Sequence, residues 1–193
     1  MSYSFFPLAF RMKYISRWGL MRNSIPENLL EHSAECAMLA HALAVIGNER
    51  FGKHYDAGDI AVKALYHDIS EIYTGDLPTP VKYANGAIHD SYKDIEHAAC
   101  ATLCEKLPDE LQETYKSALD EEASPEIYRI IKAADKLCAL IKCIEEVGNG
   151  NREFSAALNA TKASLAEMAE NCEELAYFMN TLLIEFDKPL DEQ

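Results

Sequence analysis

The sequence predicts an all-α fold in a single domain, and three observations predict it. Ala, Leu, Glu, Lys and Met dominate the 193 residues, and apolar positions recur at helical spacing nearly throughout. β-branched runs with two-residue alternation are absent. No Ser/Gly linker, internal repeat or low-complexity tract divides the chain, whose length suits one domain with a sizeable core. The formal charge of −14 disfavours a sequence-independent grip on a nucleic-acid polymer, which needs Lys/Arg clusters. It leaves room for a small anionic ligand held by a local Arg or a metal. No apolar run is expected to cross a membrane, and no basic and apolar leader opens the chain, so a cytoplasmic protein without membrane contact is expected. The six cysteines fit free thiols in a reducing compartment better than a disulfide scaffold.

A first helix is expected over about 4–14. The segment Ile15-Ser16-Arg17-Trp18-Gly19-Leu20-Met21-Arg22-Asn23 then reads as a connector, broken by Gly and Asn. It holds the only Trp, directly after an Arg. A lone Trp most often plugs a core, but an Arg-Trp pair in a loop can also clamp a planar, phosphorylated ligand.

A second helix is expected over about 28–46, opened after Pro26 and ended by Gly47-Asn48. His32, Cys36, Leu39 and Leu43 share its inward face, whereas His41 faces outward. A lone inward His is more often a hydrogen-bonded core residue than a ligand.

A third helix is expected over about 57–72, with Ile60, Ala64, His67 and Glu71 on one face and Asp68 one step, about 100°, round from His67. Its end and the following loop place His67, Asp68, Glu71 and Asp76 within ten residues. A carboxylate next to the apolar Ala61-Val62-Ala64-Leu65 stretch needs a metal or a strong partner. The loop Thr74-Gly75-Asp76-Leu77-Pro78-Thr79-Pro80 is stiffened by two prolines and suits ligand-orienting groups.

A long helix over about 85–107 carries His89 and His97 on a solvated acidic face, followed by a shorter acidic helix or turn over 109–122. The next helix opens at Ser124-Pro125 and runs to about 147. It puts Asp135 in an apolar stripe with Ile131 and Cys138, on a different face from Lys132 and Lys136. Two amphipathic helices over about 154–186, broken near Glu170-Asn171, pack and cover. The domain thus spans 1–193, with a metal core at about 28–147.

The inward polar groups are His32, His67, Asp68 and Asp135, from three helices. Two imidazoles and two carboxylates suit a borderline divalent transition metal better than Ca²⁺ or a closed thiolate zinc site.

These four residues match the H…HD…D signature of HD-domain metal-dependent phosphohydrolases. With Arg17-Trp18, Glu31-His32-Ser33, Tyr66-His67-Asp68, Glu71, Ala134-Asp135 and the run from Thr74 to Tyr83, the chain resembles bacterial 5′-deoxynucleotidases of the YfbR type. The resemblance covers nearly the whole chain and is weakest over the last ~30 residues. It implies an all-helical HD fold, a homodimer, and hydrolysis of 2′-deoxyribonucleoside 5′-monophosphates to deoxynucleoside and phosphate. It implies metal ligation by His32, His67, Asp68 and Asp135, with Co²⁺ or Mn²⁺ and sometimes Cu²⁺. It also implies that Arg17 orients the phosphate, that Trp18 helps form the sugar pocket, and that Asp76, Leu77, Pro78 and Thr79 contact the deoxyribose, with Asp76 on the 3′-hydroxyl. Glu71 is the implied acid/base. The competing expectations are an HD hydrolase of another nucleotide phosphate ester, such as a dNTP triphosphohydrolase or phosphodiesterase, and a non-catalytic metal- or nucleotide-binding module.

Overall fold

In the computed structural model of the chain, residues 3–82, 85–122 and 124–192 are described, without the side chains of Thr79, Pro80 and Leu190. Regular structure among them is helical, apart from one antiparallel bridge between Ser16 and Asn28. The N-terminal helix is short. α1 (Phe5–Ala9) tightens into a 3-10 helix over Phe10–Tyr14, which turns Met12 into the core.

The bridge then closes a loop across residues 17–27 and delivers the chain to α2 (Leu29–Phe51). Asn28 caps α2, accepting from the N–H groups of Leu30 and Glu31, while Glu31 returns a bond to the Asn28 N–H. Such a reciprocal cap adds about 1 kcal/mol. α2 does not stop at Gly47 as expected. Gly47 is buried inside the helix because a Cβ there would meet the Tyr55 ring at 2.7 Å, so the missing side chain serves packing. The helix ends at Gly52, in the left-handed region at φ 64°. α2 is long and apolar enough to cross a membrane by length and composition, which the sequence reading did not expect, with a mean hydropathy of 1.3. Here its apolar face, with Leu29, Leu39 and Leu43, lies in the core.

α3 (Ala57–Tyr66) is also shorter than expected. His67 through Ser70 form a turn, and α4 (Glu71–Thr74) restarts after it. Hence His67 and Glu71 do not stack along one continuous helix. The His67 Nδ1 sits 2.7 Å from the Ala64 carbonyl, drawing that acceptor away from the backbone N–H, which is left at 3.5 Å. α5 (Thr79–Lys82), α6 (Gly86–Cys104), α7 (Asp109–Leu119), α8 (Pro125–Gly148), α9 (Ser155–Ala169) and α10 (Glu173–Thr181) complete the chain. Ser124 stands at the cap position of α8 without a side-chain cap bond. A last 3-10 turn covers Leu183–Asp187.

α2 is the centre, packed by α3, α8 and α10, with α9 against α8. Two apolar clusters result. The larger joins Cys36, Leu43, Ile60, Ile131, Leu137 and Leu175. The smaller joins Phe5, Met12, Leu29, Ile69, Leu103 and Leu107. His32 sits on α2 one turn after Leu29 and one turn before Cys36, at the seam between them.

Candidate metal centre

Three elements converge at that seam: α2 supplies His32, the turn after α3 supplies His67 and Asp68, and α8 supplies Asp135. One ligand atom each from His32, His67 and Asp135 lies within 4.8 Å of the others. The Nε2 of His32 is 3.3 Å from Asp135 Oδ1 and 3.6 Å from Asp68 Oδ2. The Nε2 of His67 is 3.1 Å from the same Asp68 oxygen and 4.0 Å from Asp135 Oδ1. All four residues named from the sequence therefore meet.

The imidazoles face these carboxylates without being satisfied by them. Both ring nitrogens of His32 and the Nε2 of His67 are buried and make no hydrogen bond. In His67 the Nδ1 donates to Ala64, because a carbonyl can only accept, and the Nε2 points into the cluster. A buried donor or acceptor without a partner costs about 1–3 kcal/mol, so three together need a reason.

The protonation balance supplies it. Burial alone would lower the pKa of His32, yet contact with Asp135 and Cys138 pushes it up to about 10. His67 is also buried, and Asp68 raises it. Burial would raise the two carboxylates, but His67 and Arg17 hold Asp68 far below its usual range, and His32 does the same to Asp135. The two carboxylates thus favour positive charge at the point that both imidazoles face. Two imidazole nitrogens and two carboxylate oxygens fit a borderline divalent ion there.

The next shell contains Arg17. Its Nη1 is 3.3 Å from Asp68 Oδ2, and its Nε donates to Glu27 Oε1 at 3.1 Å. Trp18 packs its ring on Phe154, 5.3 Å between centroids, and donates its indole N–H to Glu27 Oε2 at 3.0 Å. The plug reading of Trp18 is therefore partly right, since its ring packs at a tilt against the buried Phe154. Trp18 is also the non-glycine residue with positive φ, 57°, among the described residues. That conformation costs about 1–3 kcal/mol and is kept only where neighbours enforce it. The tip of its loop is held by Glu146, fully buried on α8. Glu146 accepts from the N–H groups of Ser24 and Ile25, from Asn151 and from Lys142. Neither Glu27 nor Glu146 was singled out from the sequence.

Glu71 is 5% exposed, and its Oε2 has no partner. Burial, then Asp68 and Asp76, push its pKa up to about 9. Asp76 is half-buried and close enough to act on both Glu71 and Arg17. Leu77 and Pro78 are half-buried beside it, whereas the Thr79 side chain and Tyr83 lie outside the described residues. A cavity of about 510 Å³ opens beside His67 and Asp68 and is lined further by Lys82, Glu96, Glu121 and Lys132.

The family described as YfbR-like 5′-deoxynucleotidase matches residues 4–186. A 5′-deoxynucleotidase of Vibrio vulnificus is 47% identical over 189 residues, covering 97% of this chain and 96% of its own length. One of Photorhabdus laumondii is 48% identical over 189 residues, covering 97% and 95%. Among solved structures, an HD-domain phosphohydrolase of Listeria innocua superposes with a TM-score of 0.82 at 23% identity, covering 95% of this chain and 88% of that one. A cyanophage S-2L HD phosphohydrolase, bound to dA and one catalytic Zn²⁺, superposes with a TM-score of 0.63 at 20% identity, covering 93% and 96%.

Proposed function

The chain belongs to the YfbR-like 5′-deoxynucleotidase family, and from that membership we propose that it hydrolyses 2′-deoxyribonucleoside 5′-monophosphates to deoxynucleoside and phosphate at the His32, His67, Asp68 and Asp135 centre. The observation that carries the reading is the cluster of unpartnered imidazole nitrogens facing two carboxylates, with Arg17 on the rim. Phosphate monoesters are among the slowest substrates to hydrolyse unaided, so nucleophile and charge must both be supplied. A divalent ion held by His32, His67, Asp68 and Asp135, Co²⁺ or Mn²⁺ first and Cu²⁺ next, would supply a water of lowered pKa and positive charge toward a phosphoryl oxygen.

The chain's own groups take the other roles. Arg17 holds the phosphate, because Glu27 and Asp68 fix its Nε and Nη1 beside the metal centre and its guanidinium has further N–H groups to offer an anion. Glu71 keeps a proton on its carboxyl in a dry setting and gives it to the leaving 5′-oxygen. Trp18, Asp76, Leu77, Pro78 and Thr79 border the deoxyribose, with Asp76 on the 3′-hydroxyl. A homodimer in the cytoplasm completes the proposal. The lysines lining the neighbouring cavity favour a monophosphate over a triphosphate, since Lys82 is paired with Glu96 at 2.7 Å and Lys132 with Glu121 at 2.8 Å. Released orthophosphate, measured over paired deoxy- and ribonucleoside 5′-monophosphates with several metals, tests the reading. Turnover of dAMP well above AMP, lost with EDTA, is expected. Equal rates on the two remove the deoxy selectivity, and a product of pyrophosphate or tripolyphosphate from dNTPs replaces the substrate class.

A further inference from the structure

We infer that Glu27 is a positioning residue that ties the Arg17-Trp18 arm to the metal ligand His32, so that phosphate grip and ion binding are set by one carboxylate. The inference rests on the reading of the site as a deoxynucleotidase centre. Glu27 is 12% exposed at its side chain, and both its oxygens are engaged. Oε1 accepts from Arg17 Nε at 3.1 Å and lies 3.5 Å from His32 Nδ1. Oε2 accepts from the Trp18 indole N–H at 3.0 Å. The main chain repeats the registration, with the Arg17 N–H on the Glu27 carbonyl at 3.0 Å.

Side chains of adjacent residues in extended backbone point to opposite sides. Arg17 and Trp18 are adjacent, yet both reach Glu27. The positive φ at Trp18 turns the chain so that they can. Two consequences follow. The indole N–H is already committed, so Trp18 shapes a ligand pocket with its ring and not with a hydrogen bond. With Nε2 facing Asp135 and Asp68, His32 would carry its ring proton on Nδ1 when Nε2 binds an ion, and Glu27 Oε1, 3.5 Å away, is the carboxylate oxygen that faces Nδ1. Groups in this relation to a ligating His orient the ring and strengthen the ligand. A plain surface ion pair between Arg17 and Glu27 would need neither the indole contact nor the approach to His32.

The test uses full-length E27Q, with folding checked by far-UV circular dichroism and two readouts that need no turnover. Co²⁺ titration, followed by the visible absorption of the bound ion, is expected to show affinity weakened roughly 10–100-fold. Fluorescence of Trp18, the only Trp in the chain, is expected to shift to the red and to lose its response to inorganic phosphate. Wild-type Co²⁺ affinity together with wild-type Trp18 emission in E27Q overturns the inference. If E27Q does not fold, E27M, which keeps the length of the side chain and removes both acceptors, is read the same way. Wild-type protein assayed in parallel on dAMP separates the two ideas: no phosphate release from it sinks the deoxynucleotidase reading and leaves the Co²⁺ and fluorescence results to decide the role of Glu27.

Discussion

Arg17 Nη1 and His67 Nε2 approach the same oxygen of Asp68, at 3.3 Å and 3.1 Å. The Arg17 guanidinium and the proposed metal site are thus joined through a single atom. Replacing Arg17 by Ala should weaken transition-state binding and not ion binding. A lost hydrogen bond to a charged group is worth about 1.5–3 kcal/mol, or roughly 10–150-fold in kcat/KM. Arg17→Lys should recover only part, because an ammonium cannot hold Glu27, Asp68 and a phosphate in one plane. Metal content, measured by elemental analysis, should stay at the wild-type ratio. Loss of the metal along with the activity would show that Arg17 holds the site together instead.

Two carboxylates and two unsatisfied imidazoles make the folded chain a better ion binder than the unfolded one, so binding should appear as stability. At 100 times Kd an ion adds about 2.7 kcal/mol. For a domain of this length that is a rise in Tm of roughly 5–10 °C. Mn²⁺ or Co²⁺ should give such a rise in wild type, and Asp135→Asn or His32→Ala should abolish it. A wild-type melt unmoved by Mn²⁺, Co²⁺ or Zn²⁺ would sink the ion site.

In the proposed mechanism Glu71 moves a proton and does not hold the ion. Its Oε2 is buried and unpartnered, and Asp68 and Asp76 oppose its ionisation. Glu71→Gln keeps the shape and removes proton transfer. The expected result is a kcat lower by roughly 10²–10⁴-fold, with KM and metal content near wild type. Retained kcat would assign the proton to another group.

The sequence carried the helices and most of the centre for one reason: a polar residue inside an apolar helical stripe is visible without knowing the fold. His32 between Leu29 and Cys36, and Asp135 between Ile131 and Cys138, are of that kind. What it did not carry depends on contacts distant in sequence. Gly47 reads as a helix stop until Tyr55 is known to press on it. The break after Tyr66 comes from the His67 ring taking a backbone acceptor. Glu27 and Glu146 look like ordinary acidic residues until the loop closes and α8 meets its tip.

Glu146 sets an acid limit on that loop. Burial alone would raise its pKa, but Lys142, Asn151 and the Ser24 and Ile25 N–H groups hold it well below the usual carboxylate range. A carboxylate depressed in the folded state stabilises the fold above its unfolded pKa, about 4.3, and loses that contribution as pH falls through the folded value. Wild-type urea midpoints should therefore drop between about pH 5 and pH 3. Glu146→Gln should flatten that drop while lowering stability at pH 7, because Lys142 is left buried without its counter-charge, a loss of about 3–5 kcal/mol. Trp18 emission should shift in the same variant, since Lys142 lies over the Phe154 ring that Trp18 packs on. Identical pH profiles for the two proteins would place the acid sensitivity elsewhere in the chain.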